Sequence, residues 1–67
     1  MGKRTKYNRI KDVLAEQGKT QAWLAQALGV EYLTIHRYVS NTRQPSLTRL
    51  FEIARVLKVS ASDLLND

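Results

Sequence analysis

Apolar residues recur at intervals of three and four along most of the chain, and short polar segments separate the runs. This spacing places the apolar side chains of each run on one face of a helix. It predicts helices over residues 7–17, 21–28, 31–40 and 47–57, with a short fifth helix over residues 60–65. The positions predicted to face one shared core are Ile10, Val13, Leu14, Leu24, Ala25, Leu28, Ile35, Tyr38, Val39, Leu50, Phe51, Ile53, Ala54 and Leu57. The pattern therefore indicates an all-α fold.

Residues that favour helix ends stand at the boundaries of these runs. Thr20 and Ser46 directly precede the second and fourth helices, where a side-chain oxygen can accept a hydrogen bond from a first-turn N–H group. Gly29 follows the second helix, and glycine adopts the positive φ of a helix end without strain. Ser60 and Asp63 have the spacing of a capping box, with aspartate in place of the usual glutamate or glutamine. These local signals support the boundaries that the periodicity predicts.

The connection between the second and third helices is very short. Val30 alone separates Gly29 from the start of the third helical run. Two helices joined by so short a turn cross at a steep angle, so a small side chain is needed where they touch. Ala25 is placed to supply it. The residues that then fall on the outer side of the third helix are Leu33, His36, Arg37 and Ser40.

A set of short motifs extends from Thr20 almost to the end of the chain. The motifs are Thr20-Gln21, Leu24-Ala25, Leu28-Gly29-Val30, Ile35, Tyr38, Asn41-Thr42-Arg43-Gln44-Pro45-Ser46, Ile53-Ala54, Leu57, Val59-Ser60 and Asp63-Leu64-Leu65. Each one is common alone, but in this order and spacing they resemble the helix-turn-helix of the Cro/C1-repressor (XRE) family. The resemblance covers nearly everything after Arg9.

This resemblance implies a compact five-helix, lambda-repressor-like domain in residues 7–67 that binds double-stranded DNA at a specific sequence. In that docking mode helix 31–40 enters the major groove with its N-terminal half against base edges. The resemblance also implies a transcriptional regulator, repressor-like, that binds a palindromic operator as a homodimer. Candidates for the dimer surface are Val56, Val59, Leu64 and Leu65, although most of these four are expected to lie in the core.

Charge and composition agree with a nucleic-acid partner. The 67 residues carry a net charge of +5, with a pI of about 10.0. An excess of basic residues in a small helical domain favours a polyanionic binding partner. The alternative is that the basic residues serve solubility alone. The chain has no cysteine, which excludes disulfides and thiolate metal sites, and no apolar run of membrane-spanning length. We therefore expect a single cytoplasmic domain without membrane association.

Residues 1–6 hold Lys3, Arg4 and Lys6 with no acid and no apolar periodicity. They predict a flexible basic arm ahead of the domain. Two roles are open for the arm: contact with DNA phosphates or an adjacent minor groove, or a solvated tail. Nonspecific attraction to phosphate follows from the charge in either case.

Four outward residues of the third helix are candidates for reading bases. Arg37 can donate two hydrogen bonds to O6 and N7 of guanine, and contact with a phosphate or full solvation is the alternative. Tyr32 and Leu33 depart from the polar residues often found here in the family. Three explanations are open: contact with thymine methyl groups, a protein interface, or a Tyr32 ring folded back on Val30 or Val39 with Leu33 as a single tolerated exposure.

The third helix also carries two ionisable residues with open roles. His36 is the only histidine, so a histidine metal cluster is excluded, and we expect it to be exposed and to contact a base or phosphate. Glu31 stands where serine or threonine often caps the helix in this family. Its carboxylate favours the helix dipole, and two roles are open for it: a solvated partner of that dipole, or an acceptor for a cytosine amino group.

Six residues are predicted to contact DNA phosphates: Thr20, Gln21, Ser40, Asn41, Thr42 and Arg43. The first two stand at the N-terminus of the second helix, where unpaired N–H groups favour anions. The resemblance implies that Gln21 donates to a phosphate. The other four follow the third helix and supply donors and one positive charge, while Asn41 can also satisfy the backbone of the turn itself. Trp23 is expected to pack over the first helix.

Two other classes of function compete with DNA binding. A protein-interaction module that retains this fold, such as an antitoxin-like partner, is motivated by Glu31, Tyr32 and Leu33. An enzyme is not expected, because one histidine, no cysteine and six scattered acids offer no nucleophile–base pair or metal set. A chain of 67 residues also leaves no room for a sizeable substrate pocket, so we expect no cofactor, metal or small-molecule ligand.

Overall fold

The computed structural model describes residues 8–65, so the predicted basic arm of residues 1–6 lies outside the described residues. The described chain forms four α-helices and one 3-10 turn: α1 (Ile10–Glu16), α2 (Gln21–Leu28), α3 (Tyr32–Val39), α4 (Leu47–Leu57) and the turn Ala61–Leu64. The all-α prediction is confirmed, with a single 3-10 turn in place of the fifth α-helix. Within residues 8–65, no helix combines the length and the apolar character that crossing a membrane requires.

Both α2 and α4 have the predicted bounds, and their capping residues act as expected. The hydroxyl oxygen of Thr20 accepts from the backbone N–H of Trp23 at 3.0 Å. The hydroxyl oxygen of Ser46 accepts from the backbone N–H of Arg49 at 3.1 Å. Gly29 ends α2 in the left-handed region, with φ of 71°. Each cap satisfies a backbone group that the helix itself leaves unpaired.

The predicted start of α1 is wrong, because the helix begins at Ile10 rather than three residues earlier. Asn8 instead pairs with Leu65 in a single antiparallel bridge, and the N–H of Arg9 donates to the carbonyl of Leu64 at 2.8 Å. The side-chain oxygen of Asn8 accepts from the N–H of Ile10 at 3.2 Å. Asn8 and Arg9 are thus not helical, because their backbone pairs with Leu64 and Leu65.

Asn8 is a buried polar residue that links three segments of the fold. Its amide nitrogen donates to the carbonyl of Tyr38 at 3.1 Å and to the side-chain oxygen of Gln44 at 2.9 Å. Its backbone N–H donates to the side-chain oxygen of Asn41 at 3.2 Å. Because a buried amide without partners costs roughly 1–3 kcal/mol, this set of bonds specifies how the end of α3 docks.

One core lies between the four helices, and the 3-10 turn closes it against α4. Its members are Ile10, Val13, Leu14, Leu24, Ala25, Ile35, Tyr38, Val39, Leu50, Ile53, Ala54, Leu57 and Leu64. The prediction that Phe51 faces this core is wrong, because its side chain is 55% exposed. Leu50, Ile53, Ala54 and Leu57 already fill the inner face of α4. Phe51 therefore lies at the edge of that face, one turn after the exposed Leu47.

Candidate nucleic-acid interface

The turn between α2 and α3 is built from backbone hydrogen bonds at the end of α2. The N–H of Gly29 donates to the carbonyl of Gln26 at 3.2 Å, and the N–H of Val30 donates to that of Ala25 at 3.0 Å. These bonds satisfy two of the last carbonyls of α2, and the chain then enters α3 after a very short turn. Ala25 is 4% exposed and lies in the core, and its role as the small residue at the contact between α2 and α3 stays a prediction.

The two faces of α3 differ sharply in exposure. Ile35, Tyr38 and Val39 are buried in the core. The four candidates for reading bases, Tyr32, Leu33, His36 and Arg37, all lie exposed on the opposite face. The side chains of Tyr32 and Leu33 are 53% and 50% exposed, so neither is folded into the core. The helix thus presents one aromatic, one aliphatic and two nitrogen-rich side chains outward.

His36 connects the exposed face of α3 to the first residue of α2. Its Nδ1 lies 3.2 Å from the side-chain oxygen of Gln21, so the imidazole donates and the amide oxygen accepts when Nδ1 carries the proton. The ring of Tyr32 stacks on the imidazole with centroids 6.0 Å apart and planes inclined by 17°. The three side chains form a continuous row across the two helices. His36 thus engages the side-chain oxygen of Gln21, and the amide N–H groups of Gln21 donate to no acceptor within residues 8–65.

Two further residues, Lys19 and Trp23, lie beside the start of α2. The ammonium group of Lys19 lies 4.1 Å from the ring centroid of Trp23, a cation–π contact. Trp23 is partly buried and packs against the core. Lys19 was not among the predicted site residues, although its position directly before Thr20 gave a signal. It adds a cation at a helix N-terminus that already favours anions.

The loop after α3 uses most of its polar groups to hold its own shape. The hydroxyl oxygens of Ser40 and Thr42 lie 3.2 and 3.3 Å from the carbonyl oxygen of Arg37 and within hydrogen-bonding distance of each other, so one hydroxyl can donate to the carbonyl while the other donates to its neighbour. Asn41 has φ of 59°, and its side-chain oxygen accepts from Asn8 and from Gln44. These three residues therefore have a structural role, and their predicted phosphate contacts stay predictions.

The two arginines at this end of the interface lie in different places. Arg37 projects from the outward face of α3, and Arg43 projects from the loop, both exposed. The N–H of Arg43 donates to the carbonyl of Arg37 at 3.2 Å, which fixes the backbone of the loop against the helix end. One cation thus lies on the helix that presents the base-reading candidates and one lies at its flank.

Comparisons with known proteins agree with this geometry. The family model described as "Helix-turn-helix" matches residues 10–64 of the chain. No curated protein matches the chain. Among solved structures, the chain is similar to a candidate DNA-binding protein from Bacteroides fragilis, with 47% identity and a TM-score of 0.87. The match covers 90% of this chain and 97% of that one.

Proposed function

The chain belongs to the Cro/C1-type helix-turn-helix (XRE) family, and from this premise we propose that it is a sequence-specific DNA-binding regulator of transcription. In this proposal α3 lies in the major groove of double-stranded DNA. The protein acts in the cytoplasm as a repressor-like homodimer on a palindromic operator, with two half-sites about 34–36 Å apart.

The observation that carries the proposal is the exposure of one whole face of α3. Arg37 is long enough to reach a base edge and can donate to O6 and N7 of guanine. Tyr32 and Leu33 can contact thymine methyl groups, which gives a reason for leaving apolar area in water. His36 stands between them and Arg37 on the same face.

Phosphate contacts would flank this face on two sides. The N-terminus of α2 offers Thr20 and Gln21, with the ammonium group of Lys19 nearby. The loop offers Arg43 on the other side. Contacts of this kind set the position of the protein on the duplex, whereas the outward residues of α3 select the sequence.

The second candidate is a protein-interaction module that has kept the fold. The exposed pair Tyr32 and Leu33 is the observation that favours it, because apolar side chains also mark protein interfaces. The two functions differ in their response to salt. DNA binding releases counterions, so log K should fall with log salt by roughly 0.9 for each phosphate contacted.

The test is a selection of bound sequences from random duplex DNA, followed by a salt titration on the selected site. We expect a consensus sequence to emerge and the affinity to fall steeply as salt rises. No enrichment over the starting pool, together with the absence of binding in dilute buffer, would contradict the proposal. A protein partner bound through Tyr32 and Leu33 with almost no salt dependence would favour the second candidate.

The link between Gln21 and His36 gives a prediction of its own. If the bond orients the Gln21 amide toward a phosphate, the losses of DNA-binding free energy caused by Gln21→Ala and by His36→Ala should not be additive. We expect a coupling of about 0.5–1 kcal/mol in the DNA-binding free energy of a double-mutant cycle. The free energies of unfolding of the same four proteins serve as the control. Purely additive losses in DNA affinity would show that the two side chains act separately.

A further inference from the structure

His36 has two ring nitrogens, and only one of them has a partner within residues 8–65. Nδ1 lies 3.2 Å from the side-chain oxygen of Gln21, whereas no group of the described chain forms a hydrogen bond with Nε2. The residue is exposed on the outward face of α3, next to Arg37. The protonation of Nε2 therefore decides what His36 can bind.

The bond to Gln21 decides which nitrogen carries the proton. An amide oxygen can only accept a hydrogen bond, so Nδ1 must donate it. A neutral imidazole has a single proton on its two nitrogens, and Nε2 then keeps a lone pair. With Gln21 as the partner of Nδ1, the second nitrogen of the neutral ring is an acceptor.

The ring cannot exchange its two nitrogens without losing the bond to Gln21. Tyr32 stacks on the imidazole, with the two planes inclined by 17°. Half a turn of the ring within this plane would bring Cδ2, a carbon, to the place of Nδ1 and break the bond. The proposed phosphate contact holds the amide of Gln21 in the same sense, because that contact uses the N–H groups and leaves the oxygen for His36.

No neighbouring charge competes with Gln21 for Nδ1. α2 carries no ionisable residue, and the nearby cations, Lys19 before α2 and Arg37 on α3, have only donors. The nearest acid along the chain, Glu31, stands at the N-cap of α3. Within residues 8–65 no carboxylate forms an ion pair with the imidazole. The amide oxygen of Gln21 is thus the acceptor that places the proton on Nδ1.

We propose that Gln21 holds the neutral imidazole of His36 in its Nδ1-protonated form, and that Nε2 accepts a hydrogen bond from the exocyclic amino group of cytosine or adenine. The inference rests on the proposed function and deepens it, because it names the bases that one residue of α3 selects. Gln21 is then a positioning residue as well as a phosphate contact, since it sets the tautomer of a side chain that reads bases.

The major-groove edges of the bases give the reason for this selection. N4 of cytosine and N6 of adenine are donors, whereas guanine at O6 and N7 and thymine at O4 present acceptors. A ring nitrogen with a lone pair is attracted to the amino groups and repelled by the acceptors. Arg37 has only donors and favours guanine. Two neighbouring side chains of α3 thus select bases of opposite hydrogen-bonding character.

The first test measures the tautomer in the protein without DNA. A two-bond proton–nitrogen correlation spectrum of untagged, isotope-labelled protein distinguishes protonated from unprotonated ring nitrogens, at about pH 8 where histidine is neutral. The chain has one histidine, so the ring signals need no assignment. We expect Nδ1 to carry the proton in the wild type, and the Nε2-protonated form to become populated in Gln21→Ala.

The second test removes single amino groups from the selected duplex. At each position in turn, cytosine is replaced by pyrimidinone or adenine by purine, which lack the exocyclic amino group. At one position we expect the affinity of the wild type to fall about 3- to 10-fold, the effect of one hydrogen bond. His36→Ala should lose much less there. The difference between the two proteins is free of the weaker base pairing of the analogue, because both bind the same duplex.

Two further variants separate the tautomer from other roles. Arg37→Ala is the matched control: it should bind the selected site more weakly but keep the full penalty for the missing amino group. Gln21→Ala should reduce that penalty, as His36→Ala does. Loss of a phosphate contact alone would not reduce it, because phosphate contacts carry no sequence information.

The results distinguish failure of this inference from failure of the proposed function. An Nε2-protonated ring in the wild type, or equal penalties in the wild type and His36→Ala at every position, would overturn the inference and leave sequence-specific binding intact. A selection that enriches no sequence would overturn the proposed function and the inference with it. A proton on Nδ1, together with a penalty at one position that both His36→Ala and Gln21→Ala reduce, supports the inference.

Discussion

Replacing Ile35 by alanine should cost about 2–5 kcal/mol of the free energy of unfolding. Ile35 is fully buried at the centre of α3, so the change leaves a cavity between helices that pack closely. A domain of this size has a total stability of roughly 3–10 kcal/mol, so the change removes a large share of it and unfolds the variant where the total lies at the low end of that range. Urea denaturation followed by circular dichroism measures the loss.

Leu33→Ala is the matched control, because Leu33 lies on the same helix with half of its surface exposed. Its free energy of unfolding should stay within about 0.5 kcal/mol of the wild type. Equal destabilisation by the two changes would show that Leu33 is packed and that the outward face of α3 is assigned wrongly.

Replacing Arg37 by alanine should remove specificity as well as affinity. Loss of a bidentate contact with guanine should weaken the binding free energy for the selected site by about 1–3 kcal/mol. This corresponds to roughly a 5- to 150-fold loss of affinity. Random duplex DNA should lose much less. Fluorescence anisotropy on a selected and a scrambled duplex, at one fixed salt concentration, measures both numbers.

Arg43→Ala provides the comparison, because it removes the same charge from the loop. Affinity for the two duplexes should fall alike, and the slope of log K against log salt should become shallower by about 1. If Arg37→Ala and Arg43→Ala lowered the two affinities in the same proportion, Arg37 would be a phosphate contact and not a base reader.

The sequence predicted those features whose causes are local. Thr20 and Ser46 start helices through hydrogen bonds to residues three positions away, and Gly29 ends one by its own conformation. Such bonds depend on a few adjacent residues, so their pattern is readable in the chain. α4 also ends where predicted, although Lys58 adopts the left-handed conformation there without being a glycine.

The predictions from sequence were wrong where contacts between distant segments determine the structure. Asn8 lies in an apparently helical run, but its partners Tyr38, Asn41 and Gln44 are at least 30 positions away. Phe51 fits a helical period, and only the crowding of the inner face of α4 shows that it lies outside. Neither fact can be read from spacing alone, because each depends on how the elements dock.

The candidate site divides in the same way. Of the outward positions that the helical period predicts, Leu33, His36 and Arg37 are confirmed as exposed, whereas Ser40 is half-buried. The link from His36 to Gln21 and the engagement of Ser40, Asn41 and Thr42 within the loop depend on side-chain geometry. The position of Lys19 beside the start of α2 depends on its side chain lying over the ring of Trp23, a contact that no motif specifies.

The central proposition is that the exposed face of α3 is the surface that meets duplex DNA. The most direct measurement is an NMR titration of isotope-labelled protein with a selected duplex, following every assigned backbone amide. The largest shift changes should fall in residues 32–37 and around Thr20 and Gln21 at the start of α2. Shift changes confined to other surfaces, or none at all in dilute buffer, would contradict it.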